Sequence, residues 1–284
     1  MIVDSHCHIF TSQIVENVSS NLALVELLKL DGTYARERID PKTLEQSAAA
    51  NSVDICLLLP TAASAKVKIE NDRHIRFASQ FPRLRSLATL HPLMNGLSDE
   101  IRRVLGLGVV GFKLSSFSQR FDLISAEVEV MLSTMEKCGS EIGTPLVLVL
   151  DTFTRADIHF GANHDHLTKP AKLWEISVRH PGINFVGSHM GGLAADFDEL
   201  RHGLVPASNL YLDTSNAAHT LTNAEFIELL RMHGPDHILF GTDWPWFHHS
   251  AEIPKIRSLL NEAGYSKSEQ DAIFGDNARK LFGL

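Results

Sequence analysis

Asp4-Ser5-His6-Cys7-His8 stands at the start of the chain, and its two histidines are spaced for metal chemistry. In an extended strand side chains alternate between faces, so His6 and His8 point the same way, roughly 6–7 Å apart along the strand. Two imidazoles so placed can converge on one ion. Met1-Ile2-Val3 is apolar and Ile9-Phe10-Thr11-Ser12 reads as a loop, which puts the pair at the carboxyl end of a buried strand. In a parallel barrel that end is the active face.

The elements that must position them recur along the chain. Short apolar runs at 53–59, 84–90, 109–114, 145–150, 183–187, 210–214 and 237–243 follow the first strand, with helix-length stretches between them. Eight strands alternating with helices over 284 residues predict an α/β fold of the (β/α)8 TIM-barrel type, one domain over 1–284. Residues 11–40 form an insertion expected to cover the barrel mouth. An open doubly wound sheet suits the pattern less well: polar residues stand at nearly every strand exit, and no glycine-rich phosphate fingerprint follows the first strand.

The exits carry His6, His8, His91, Lys113, Asp151, His189, Asp213 and Asp243. Strands one and eight are neighbours in a closed barrel, so Asp243 is expected to face His6 and His8. Two imidazoles and a carboxylate suit Zn²⁺ or another divalent ion with open positions for water. Bound to such an ion, water has its pKa lowered to about 7, and the carboxylate can take its proton. Lys113 is placed to bind a substrate carboxylate or to pair with Asp151. His166, in the histidine-rich loop after the fifth strand, is a candidate substrate contact, and Trp244, with Trp246 and Phe247, is a candidate pocket wall. His91 reads as structural; His180, His202 and His233 fall on helices and read as surface residues.

Composition narrows the function. Hydrophobic residues make up 44% and charged residues 21%, ordinary for a globular protein with a large core. A net charge of −8 without a basic block disfavours nucleic acid as a partner, so a small-molecule substrate is expected. No apolar run approaches 18 residues and no signal-like start is seen, which disfavours a membrane and points to the cytoplasm. Cys7, Cys56 and Cys138 are unpaired in spacing and read as buried free thiols. A homodimer is the base-rate expectation.

Three of these stretches carry a resemblance: Asp4-Ser-His-Cys-His8, Gly187-Ser-His-Met-Gly-Gly192 and Leu239-Phe-Gly-Thr-Asp-Trp-Pro245, with Gly275-Asp-Asn-Ala-Arg-Lys-Leu-Phe282 near the end. Together they resemble the amidohydrolase superfamily, more narrowly its amidohydrolase-related branch, which includes aminocarboxymuconate semialdehyde decarboxylase and pyrone dicarboxylate lactonase. The resemblance runs through the whole chain. It implies His6 and His8 as metal ligands, Asp243 as ligand or proton acceptor, and His189 as the residue that polarises substrate or moves a proton. Relatives that bind metal place a ligand histidine at the fifth-strand exit; here Asp151 stands there, as a substitute ligand or as the mark of a weakened site. The implied cofactor is one divalent ion, zinc ahead of manganese. The implied activity is hydrolysis of a lactone, ester or amide in a small carboxylated molecule. The alternatives are non-oxidative decarboxylation at the same site, a metal-free lactonase, and a degenerate barrel that only binds.

Overall fold

The structure, a computed structural model, describes residues 1–284 and is a (β/α)8 barrel. Its parallel strands are β1 (Val3–Cys7), β2 (Ile55–Leu58), β3 (Leu84–Ser86), β4 (Ala88–Thr89), β5 (Phe112–Leu114), β6 (Leu146–Leu150), β7 (Ile183–Gly187), β8 (Leu210–Asp213) and β9 (Ile238–Leu239). The third stave, expected as one strand over 84–90, is two pieces broken at Leu87. The ladder is therefore recorded as β1-β2-β3 and β4-β5-β6-β7-β8-β9. Backbone bonds from Leu87 to the Leu58 carbonyl (3.0 Å) and from Ala88 to the Gly111 carbonyl (2.9 Å) carry the sheet across the break. No continuous ladder joins the first and last strands. Instead Ser5 donates to the Phe240 carbonyl (2.9 Å), Asp243 to the His6 carbonyl (3.0 Å) and His8 to the Trp244 carbonyl (2.7 Å), with one parallel bridge between Cys7 and Trp244.

Strand alternation decides which side chains face the barrel interior. Along β6, Leu146, Leu148 and Leu150 pack outward with Met131 and Leu173 of the helical layer, whereas Val147 and Val149 pack inward with Val3, Leu57 and Val186. Carried two residues on, the inward parity presents Asp151 at the mouth. The same parity turns Lys113 inward between outward Phe112 and Leu114, Asp213 inward after outward Leu212, and Gly241 and Asp243 inward after Leu239. In β1 the parity must change, because Val3 is inward and simple alternation would turn Ser5 and Cys7 inward after it. A register shift between Asp4 and Cys7 makes that change. Beyond it Cys7 joins the outer layer with Leu44, Ala48 and Trp244, and His6 and His8 turn to the interior.

Residues 11–40 form helices Ser12–Ser20, Leu22–Leu28 and Gly32–Ala35. Thr11 and Asn21 cap the first two through side-chain oxygens that accept from Ile14 and Leu24 N–H. Their apolar side packs Val15, Leu24, Leu28 and Leu30 against Phe153, Leu193, Trp246 and Phe247 of the barrel loops. No helix is long and apolar enough to cross a membrane.

Candidate metal centre

Each histidine of the site is held by its Nδ1, and the partner fixes which nitrogen carries the proton. His8 Nδ1 lies 3.0 Å from the Leu59 carbonyl, an oxygen that can only accept, so the proton is on Nδ1. His6 Nδ1 lies 2.9 Å from the Asp213 carboxylate and is held the same way. The nitrogens left for coordination, the two Nε2 atoms, face each other at 3.0 Å. Asp243 Oδ1 completes a triangle at 3.7 Å from His6 Nε2 and 3.8 Å from His8 Nε2. Two imidazole nitrogens and a carboxylate oxygen converge on one buried point. His6, His8 and Asp243 thus fit a divalent ion by donor type and by convergence.

Burial sets the charge states. His8 is pushed well below the usual histidine range by burial first and then by its neighbours His6 and Lys113, which keeps it neutral and ready to ligate. Burial raises the Asp243 carboxyl, against the pull of His189 and His6. Asp213 goes the other way: burial opposes its charge, but His6 and the bonds it accepts hold the carboxyl far below the usual range. Its Oδ1 accepts from the His189 N–H (2.9 Å), the Ser215 N–H (3.1 Å) and the Ser215 hydroxyl.

His189 follows β7 and lines the same cavity as His8 and Asp243. Its Nδ1 donates to the Ser215 carbonyl at 2.9 Å, and burial lowers its pKa, so Nε2 is a lone pair in the neutral ring. Both His189 (φ 56°) and Asp243 (φ 64°) lie in the left-handed backbone region, as does Met190 (φ 53°). For non-glycine residues that region costs on the order of 1 kcal/mol each and clusters at functional sites. Gly241 leaves room behind the pair, since a Cβ there would meet His6 Cβ at 2.9 Å.

The remaining sequence candidates divide. Lys113 is fully buried, donates to Ser188 Oγ at 3.1 Å and lines the cavity; burial lowers its pKa while Asp151, Asp213 and Asp243 resist the shift. Asp151 lines the cavity too, but its carboxylate accepts from the Phe153 N–H at 2.9 Å and lies outside the His6, His8 and Asp243 set. Trp244 is not a cavity wall. The parity that turns Asp243 inward turns the next residue outward, where Trp244 stacks on His249 (5.5 Å, 22°) and donates from Nε1 to the Arg38 carbonyl. Trp246 takes the wall position instead. His166 lies in an adjoining lobe with Arg120 and Asn163, beyond Phe117 and Phe160, and does not reach the metal centre. His91 is buried, with Nε2 3.0 Å from the Gln119 carbonyl. Asp213 was legible as an exit carboxylate but not as the residue that orients His6; Ser215 and the Leu59 carbonyl carry no signal of type or spacing.

Comparisons agree with this architecture. A TIM-barrel protein from Bordetella bronchiseptica superposes with a TM-score of 0.74 at 16% identity, covering 99% of this chain and 98% of that one. A dihydroxybenzoic acid decarboxylase from Polaromonas, solved with bound manganese, superposes with a TM-score of 0.68 at 18% identity over 100% and 97% of the chains. A probable 2-pyrone-4,6-dicarboxylic acid hydrolase from Acinetobacter baumannii gives 0.66 at 14% identity over 100% and 99%. No curated protein matches the sequence. The sequence model of the amidohydrolase family matches residues 3–284, nearly the whole chain, and this enzyme belongs to that family.

Proposed function

We propose that the protein hydrolyses a lactone, ester or amide bond in a small carboxylated molecule, with one divalent ion, zinc in preference to manganese, held by His6, His8 and Asp243. The observation that carries this reading is the pair of Nε2 atoms 3.0 Å apart beside the Asp243 carboxylate. An ion bound there supplies Lewis-acid polarisation and lowers the pKa of water. Asp243 is placed to take a proton as the attacking oxygen forms its bond to carbon. His189 Nε2, a lone pair in the neutral ring, accepts a proton and returns it to the leaving oxygen or nitrogen; it polarises a carbonyl only after it is protonated. Lys113 supplies the fixed positive charge that orients a substrate carboxylate, and Asp151 holds the loop that carries Phe153.

A second reading is loss of CO₂ at the same site, supported by the manganese-bound decarboxylase of the same fold. One experiment separates the two. Protein purified without chelator is assayed for metal, alongside a His6→Ala, His8→Ala double variant, and then offered lactones, esters and benzoic acids in ¹⁸O-water. We expect near-stoichiometric metal in the wild type, none in the variant, and ¹⁸O in a ring-opened or cleaved product. Release of CO₂ without ¹⁸O-dependent cleavage would replace hydrolysis by decarboxylation; absence of metal in both proteins, with none taken up on soaking, would overturn the metal-assisted reading.

A further inference from the structure

The floor and the walls of the cavity, about 360 Å³, differ in kind. The floor is polar: His8, Lys113, Asp151, His189 and Asp243. The walls are mostly hydrocarbon, interrupted by the uncharged Asn17, Thr61, Ser115 and Ser118, and their apolar part comes from separate segments that include Phe10 after β1, Leu24 from the 11–40 helices, Phe117 after β5, Phe153 and Phe160 after β6, and Trp246 after β9. Phe117 and Phe160 are parallel within 7° at 5.8 Å, Phe153 stands edge-on to both, and Phe10 stacks on His8 at 4.5 Å. The rings thus form two groups on the cavity wall, Phe10 with Trp246 beside His8, and Phe117 with Phe153 and Phe160.

The charges are as informative. Lys113 is the one lysine in the lining, the lining histidines His8 and His189 are neutral, and no arginine is among the lining residues. Arg120 lines the adjoining lobe, whose boundary with the cavity is formed by Phe117, Ser118 and Phe160. Of the 11–40 segment, Asn17 is the polar contributor and is uncharged; the rest of its contribution is aliphatic. A second carboxylate on a substrate seated over the metal centre would find no second cation, only the uncharged Asn17, Thr61, Ser115 and Ser118 among the hydrocarbon, and an ionised group taken from water without a counter-charge binds at a cost.

We infer that the substrate is a hydrophobic monoanion: one carboxylate at the Lys113 end and an extended, uncharged alkyl, alkenyl or aryl body lying along the Phe- and Leu-lined walls, with dicarboxylates rejected. This rests on the hydrolytic reading only for where the scissile bond lies. Binding is set by the walls and Lys113, and it can be read without turnover.

The test is calorimetric binding of unreactive probes to the manganese-loaded full-length protein. Straight-chain monocarboxylates from butanoate to octanoate should tighten about fourfold per added methylene, from the burial of one CH₂ each. Each α,ω-dicarboxylate should bind at least roughly tenfold more weakly than the monocarboxylate of equal length. Leu24→Ser and Phe117→Ser, which leave the floor intact, should flatten the chain-length series, and Lys113→Met should remove the preference for the carboxylate over the primary amide of the same length. Equal or tighter binding of the dicarboxylates, a flat series in the wild type, or no binding by any monocarboxylate overturns the inference. A protein that binds the series as expected yet cleaves no ester, lactone or amide leaves it standing and overturns the hydrolytic reading alone.

Discussion

Asp213 governs two histidines at once. One carboxylate oxygen holds His6 Nδ1 at 2.9 Å, and the other accepts the backbone N–H of His189 and the hydroxyl of Ser215, which also lies 2.8 Å from His189 Nδ1. An outer carboxylate of this kind fixes the ring orientation and raises ligand basicity. Asp213→Asn should therefore lower divalent-metal affinity by about 10- to 100-fold while the far-ultraviolet spectrum is kept; chelator competition reads the affinity, and an unchanged value would remove Asp213 from the site. Gly241→Ala tests the same ring from behind. Its Cβ would stand 2.9 Å from His6 Cβ, so we expect weaker metal binding and about 1–3 kcal/mol lower stability in urea. At this scale the sequence was informative where residue type and strand position coincide: His6, His8, His189 and Asp243 all stand at strand exits and all meet in the structure. It was silent where the partner is a backbone oxygen, as with Leu59. It misled by one residue at Trp244, because an aromatic beside a ligand faces the opposite side of its strand.

The first strand is the element on which the site depends. Its register shift turns the histidines inward, and Asp4, just before them, is tied to the rest of the barrel. Asp4 Oδ1 accepts from the N–H groups of His6 (3.1 Å) and Thr242 (3.0 Å), and Oδ2 accepts from His249 Nε2 (3.0 Å), the first residue of helix His249–Glu262. Burial opposes a charge on His249, yet Asp4 and Cys56 override it and raise the imidazole to about 10. The pair is wholly buried, so removing one partner strands the other charge. His249→Phe should cost roughly 3 kcal/mol of unfolding free energy, and His249→Gln, which keeps a donor, should recover part of it. Denaturation as late in the Phe variant as in the wild type would show that Asp4 is satisfied by Thr242 and His6 alone. Neither the register shift nor this tie was legible beforehand. Alternation is read along one strand, whereas the shift is imposed by how β1 seats between β2 and the last stave.

Across the whole molecule, stability on the acid side is set partly by histidines far from the candidate metal centre. His233 ends helix Asn223–His233 and was expected at the surface, but it is 5% exposed; His74, in helix Val67–Gln80, is 2% exposed. Burial, helped by His237, pushes His233 down to about 4. Burial and Arg73 push His74 down to about 3. The Glu70 carbonyl, 3.2 Å from His74 Nδ1, pulls the other way without prevailing, and the Glu70 carboxylate is engaged by Arg73 at 2.7 Å. Both rings are therefore neutral in the folded chain and take a proton near pH 6.5 once unfolded. From pH 6.5 downward the unfolded chain binds more protons than the folded one, so stability falls with falling pH until the folded pKa values are reached near 4 and 3. At pH 5 the loss amounts to about 2 kcal/mol for each histidine. Urea unfolding at pH 7 and pH 5 should show the wild type losing about 4 kcal/mol more than a His74→Gln, His233→Gln variant over that interval. Equal losses in the two proteins would place the acid sensitivity elsewhere, with the buried carboxylates Asp4 and Asp213 as the groups to titrate next: burial pushes both upward, but their bonded partners, His249 for Asp4 and His6 for Asp213, override it and hold both below their ordinary range, so their contribution disappears only at lower pH.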